Sequence, residues 1–169
     1  VVLACGSNMV PPAWIPPEER ASGLVPDLRA AMADLLRLKQ KQSGTAVVFD
    51  MDHTEGTYGA VELLHALFDR VVIITPRDSI AQDCSLVNRQ GIFRRLSEKR
   101  ITIIPLSEPR WSAAIEDGNL EYANVYNGDV GTIENIAFLA WSTPRASDDT
   151  LSVPLRARGI EVHVVGDCL

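Results

Sequence analysis

Two apolar, β-branched runs, TAVVFD (45–50) and RVVIIT (70–75), flank a helix-forming stretch, GTYGAVELLHALF (56–68). Strands this uniformly apolar have no water-facing side, so both faces must be covered. A helix between them is the usual way to bring the chain back for parallel pairing, with a right-handed crossover. A second helical stretch, CSLVNRQGIFRRLSEK (84–99), leads into a third run, ITIIP (101–105). This order predicts an α/β fold built on a parallel sheet of three or more strands.

The flanks read differently. VVLACGSN opens with a short, buried-strand pattern stopped by Gly6, and 10–26 is a proline-rich connector. PDLRAAMADLLRLKQKQ places Leu28, Met32, Leu35 and Leu36 on one helical face. Pro26 and Asp27 stand at its start, Lys39 and Lys41 at its end, and Gly44 as its stop. Across 110–141, turn signals at Asp117-Gly118-Asn119 and Asn127-Gly128-Asp129 separate short β-prone runs, which predicts a β-meander. A short helix near 149–158 and a last strand, EVHVV, end at Gly166-Asp167. The expected divisions are 1–44, 45–141 and 142–169.

Hydrophobic residues make up 46% and charged residues 22%, an ordinary soluble globular composition. A net charge of −6 with no basic block argues against nucleic acid as a partner. The apolar runs VVIIT and IAFLAW are too short to span a bilayer, so no membrane role is expected. Cys5, Cys84 and Cys168 are odd in number and far apart, which fits a reducing cytoplasm better than a disulfide framework. Without C-x-x-C the chain shows neither zinc-ribbon nor iron–sulfur spacing, and no metal ligands are expected. Opening on Val1-Val2-Leu3, it is expected to be a piece of something longer.

The bend after the first long strand, TAVVFDMDHTEG, supports two chemistries. In a haloacid-dehalogenase-like magnesium phosphatase, Asp50 would be the nucleophile and Asp52 the acid, with Thr75, Lys99 and Gly166-Asp167 at the neighbouring positions. His53 and Glu55 depart from that pattern. In a dinucleotide-binding unit the same bend would be the phosphate loop, with Gly56 and Gly59 its only glycines and Arg77 where an NADP 2′-phosphate would lie. Asp50, Asp52 and Glu55 would repel a diphosphate by about 1 kcal/mol per close pair, even in water-like surroundings. His53, His65 and His163 have no companions at metal-ligand spacing.

VVLACGS resembles the A-T-G strand of two-dinucleotide flavoproteins, with Cys5 in place of the usual Thr, and TPRASDDTLSVPLRARGIEVHVVGDCL resembles their return to the flavin domain. LVNRQGIFRRLSEKRI, DDTLSVPLRARG and the acidic loop are similar to the nucleotide-binding region of trimethylamine dehydrogenase-like and 2,4-dienoyl-CoA reductase-like NADH:flavin oxidoreductases, the fused relatives of old yellow enzyme. The resemblance implies a Rossmann-like, three-layer NAD(P)-binding-type domain with parallel sheet and meander, flanked by remnants of a split FAD-type domain. It implies FAD or ADP in the parent, near Gly6, Gly166 and Asp167, at a site incomplete in these residues. FMN and a 4Fe-4S cluster would belong to the parent outside this chain. The remainder of the parent chain would be the partner, with homo-oligomerisation left open. No catalytic residue is expected in these residues, and the isolated module should be inert.

Overall fold

The computed structural model describes residues 1–168, without the side chain of Cys168. Chain order begins β1 (Val2–Leu3), β2 (Ser7–Met9), α1 (Leu28–Leu35), β3 (Gln42–Asp50), α2 (Glu55–Leu67) and β4 (Phe68–Ile74). It continues α3 (Leu86–Glu98), β5 (Thr102–Ile104), β6 (Ser107–Arg110), β7 (Leu120–Asn124) and β8 (Val130–Ile133). It ends β9 (Ile136–Ser142), β10 (Arg145–Ser147), α4 (Ser152–Ala157) and β11 (His163–Val164). Residues 11–142 form one compact unit, and 1–10 with 143–168 form another.

In the larger unit, β3 and β4 pair in parallel from Thr45↔Arg70 to Phe49↔Ile74, as their apolar runs require. β5 joins beyond β4 and β9 beyond β3, giving a four-stranded parallel sheet in the order β5-β4-β3-β9. Alternation along each strand sorts the core. Ala46, Val48, Val71, Ile73 and Ala140 face α1, α2 and α3 in one buried cluster. Val47, Phe49, Val72 and Ile74 are as deeply buried on the other face, where Trp14 meets Phe49 edge-on and Trp111 lies tilted against Trp14. Caps fix two helix starts: Asp27 accepts the Arg29 amide at 2.7 Å and Ser85 the Asn88 amide at 3.4 Å.

The meander is β6-β7-β8, antiparallel throughout, but shorter than the run of turn signals predicted. IAFLAW does not belong to it. Those residues return to the parallel sheet as β9, pairing Ala46↔Phe138 through Asp50↔Ser142. The helix expected to reach Lys41 stops at Leu35, because β3 already begins at Gln42. Gly44 is no helix stop: it sits inside β3 with φ +107, where a Cβ would lie 2.9 Å from the Asn135 carbonyl. α1 packs with the larger unit's core, so the compact boundary falls at residue 10 and not at 44.

The smaller unit pairs β1 with β11 in parallel and β10 with β2 antiparallel, with α4 between β10 and β11. The opening strand is only half-covered: Leu3 is buried, while Val1 and Val2 are exposed.

Candidate functional site

The larger unit gathers its buried ionisable side chains, Asp50, Asp52 and His53, at the carboxyl end of the parallel sheet, where β3 turns into α2. Asp50 is fully buried. Its Oδ1 accepts the His53 amide at 3.0 Å and its Oδ2 the Tyr58 hydroxyl at 2.6 Å; that hydroxyl in turn accepts the Ala81 amide at 2.5 Å. Burial holds the Asp50 carboxyl above the usual carboxylate range, although His53 and the Tyr58 hydrogen bond pull the other way. Burial, reinforced by Asp50, pushes the Tyr58 phenol up, and burial lowers His53. The His53 ring is enclosed with Nε2 3.1 Å from Thr75 Oγ1, and its Nδ1 has no partner.

The turn itself is made without glycine. His53 adopts φ +55, the left-handed region that costs most side chains about 1–2 kcal/mol. Its ring fills the core behind the bend, and Cys84 Sγ donates to its carbonyl at 3.3 Å. Burial raises the Cys84 thiol.

Asp52 occupies the start of α2. Its Oδ2 accepts from the Thr54 hydroxyl and, at 3.0 Å, from the Thr57 hydroxyl, which also lies 2.8 Å from Ser142 Oγ. The amides of Met51 and Asp52 donate to the Ser142 carbonyl at 2.8 and 3.1 Å, tying the bend to the end of β9. Thr54 precedes α2 but makes no side-chain cap, its hydroxyl being turned to Asp52. A carboxylate therefore stands where the helix dipole and free amides would attract a phosphate.

The residues expected to be functional fall in different places. Gly56 and Gly59 lie in the first turns of α2, with no positive φ. A Cβ on Gly56 would meet only Thr54 Oγ1 at 4.0 Å, and one on Gly59 nothing within 4 Å. Arg77 follows β4 and pairs with Asp83 at 3.2 Å. Gly6 (φ +83) and Gly166 (φ +70) both lie in the smaller unit with open space above them. There Asp167 accepts from Arg145 at 3.1 Å.

The phosphatase constellation does not assemble. Both Asp50 oxygens are engaged in a closed core, and Lys99 lies at the amino end of the sheet, 3.2 Å from Glu62. Among the described residues, no three His, Cys, Asp or Glu side chains form a group able to hold a metal ion. Tyr58, Thr57 and Ser142, central to this geometry, carry no motif in the sequence.

No family model matches the chain, and no curated protein matches it. Solved structures do. Histamine dehydrogenase from Rhizobium sp. 4-9 superposes with a TM-score of 0.77 at 24% identity, over 99% of this chain and 27% of that one. The 6-hydroxypseudooxynicotine amine oxidase from Pseudomonas geniculata N1 gives 0.78 at 16% identity, over 99% and 26%. A 2-naphthoyl-CoA reductase gives 0.72 at 19% identity, over 99% and 23%. The fold is one that trimethylamine dehydrogenase-like flavin oxidoreductases contain. This chain spans about a quarter of the length of each of these enzymes. No helix among the described residues is long and apolar enough to cross a membrane.

Proposed function

We propose that these residues are the nucleotide-binding-type module of a flavin-dependent oxidoreductase of the amine dehydrogenase or enoyl reductase type. The observation that carries this reading is the overlap of 99% of the chain with segments of such enzymes, at TM-scores of 0.72 to 0.78. In this reading the larger unit is a Rossmann-like, pseudo-NAD(P)H domain that serves architecture, and the substrate chemistry belongs to an FMN and 4Fe-4S region beyond these residues. The smaller unit belongs to an FAD- or ADP-type domain, and the free thiols Cys5 and Cys84 suit a cytoplasmic setting.

The two cofactor positions differ in fit. At the β3–α2 bend the residues do not fit a dinucleotide: Asp52 takes the Thr54 and Thr57 hydroxyl donors, and its carboxylate would repel a diphosphate placed there. In the smaller unit Gly6 and Gly166 leave room for close backbone approach, and Asp167 supplies a carboxylate acceptor for ribityl or ribose hydroxyls. FAD or ADP held there would supply a fixed nucleotide anchor. Calorimetric titration with ADP and FAD tests this part. Saturable binding weakened by Asp167→Ala is expected; binding that Asp167→Ala leaves unchanged would remove the assigned role.

A further inference from the structure

A second concavity lies at the opposite, amino end of the parallel sheet, away from the Asp50 cluster. It is a cleft of about 590 Å³ between α1 and the first residues of β3, β4 and β9. Its origin is the short α1. The helix ends at Leu35, a turn through Leu38 follows, and β3 begins at Gln42, so the corner of the sheet that a longer helix would cover stays open. Ala31 and Leu35 form one wall. Phe68 and Phe138 form the floor, their rings stacked 5.8 Å apart at 25°. Leu38, a lining residue, remains 37% exposed, and Leu24, close by in sequence to Gly23 and Pro26 of the lining, 42%.

The walls are fixed before any ligand arrives. Trp141 donates through its amide to the Pro26 carbonyl and through Nε1 to the Val25 carbonyl, both at 3.1 Å, which pins the loop side. Asp27 caps α1 on the same side. Pre-formed, largely apolar clefts of about 300–1,000 Å³ with a few polar groups are the usual form of small-molecule sites. Asp34, the charged residue of the lining, is already paired with Arg37 at 2.9 Å, and Lys41, next to Gln42, pairs with Asp69 at 3.4 Å. Gln42 and Ser43 leave uncharged polar groups at the mouth. A charged ligand would have to break an existing pair, whereas an uncharged one would not.

From this geometry we infer that the cleft is a binding site for an uncharged aromatic small molecule, separate from the β3–α2 bend. The ring system would lie against the Phe68–Phe138 floor, with one hydrogen-bonding group at Gln42 or Ser43.

The test is a fluorescence titration of the full chain with N-phenyl-1-naphthylamine, an uncharged aromatic probe that brightens in apolar surroundings. Saturable, one-to-one binding is expected, abolished by Ala137→Trp from the sheet side and by Ala30→Trp from the helix side. Both alanines line the cleft and are exposed, so thermal melts of these variants should match the parent chain. An absence of saturable binding, or binding that both variants leave intact, overturns the assignment. The exposed leucines would then mark contact with another polypeptide.

Discussion

Tyr58→Phe removes one oxygen that donates to Asp50 and accepts from the Ala81 amide, so two buried polar groups lose a partner at once. Each such loss costs about 1–3 kcal/mol, and urea denaturation should show a drop in unfolding free energy of about 2–6 kcal/mol. Asp50→Asn should change stability but no phosphatase rate, because neither form should hydrolyse p-nitrophenyl phosphate. Magnesium-dependent turnover lost in Asp50→Asn would reinstate the nucleophile reading. At this scale the sequence showed two carboxylates at a strand end, and little more. Asp50 and Asp52 look equivalent in a string, yet one faces the core and the other the helix start. What separates them are Tyr58, Thr75, Ala81 and Ser142, partners that chain folding brings together and that no local pattern marks.

Between elements, Glu62 on α2 clamps α3 through Arg95 at 2.7 Å and Lys99 at 3.2 Å. Burial pushes the Glu62 carboxyl up, but the hydrogen bonds and charges of Arg95 and Lys99 more than reverse this, leaving it below its usual 4.5. The clamp's contribution is therefore full above pH 4.5 and is lost as pH falls through the lower, folded-state value. Glu62→Gln should flatten this acid limb of a stability-versus-pH curve, by about 1 kcal/mol or less for a partly exposed pair. Two glycines make opposite tests of backbone geometry. Gly44→Ala should destabilise by more than about 1 kcal/mol, given φ +107 and the Asn135 carbonyl 2.9 Å from the new Cβ. Gly59→Ala should stabilise by about 0.5–1 kcal/mol, since the new methyl meets nothing within 4 Å in a regular helix. Thermal melts distinguish the two directions. The crossover elements were legible because buried strands and amphipathic helices announce themselves by composition; β4 was expected over 70–75 and runs Phe68–Ile74. Helix-forming residues through Lys41 hid the end of α1, because the pairing that claims Gln42 for β3 comes from Phe68, far along the chain. IAFLAW follows the meander's turn signals in sequence yet joins the parallel sheet for the same reason: its partner, β3, pairs with it across 92 positions, from Ala46↔Phe138 to Asp50↔Ser142.

At the scale of the whole molecule, order of elements carried more than any motif. Strand–helix alternation followed by a meander led to the resemblance, and structures of flavin oxidoreductases overlie 99% of the chain at 16–24% identity. The fold is shared at low identity, and the bend after β3 is built here on an internal carboxylate and a left-handed histidine, without the bare glycine backbone that a dinucleotide phosphate loop needs. With its carboxylate on the Thr54 and Thr57 hydroxyls, Asp52 should deny the start of α2 to a diphosphate. Calorimetric titration of the chain with NADH measures this. No saturable heat up to millimolar NADH is the expected result. Saturable binding that weakens on Arg77→Ala, with phosphates located against the amides of residues 51–57, would contradict it.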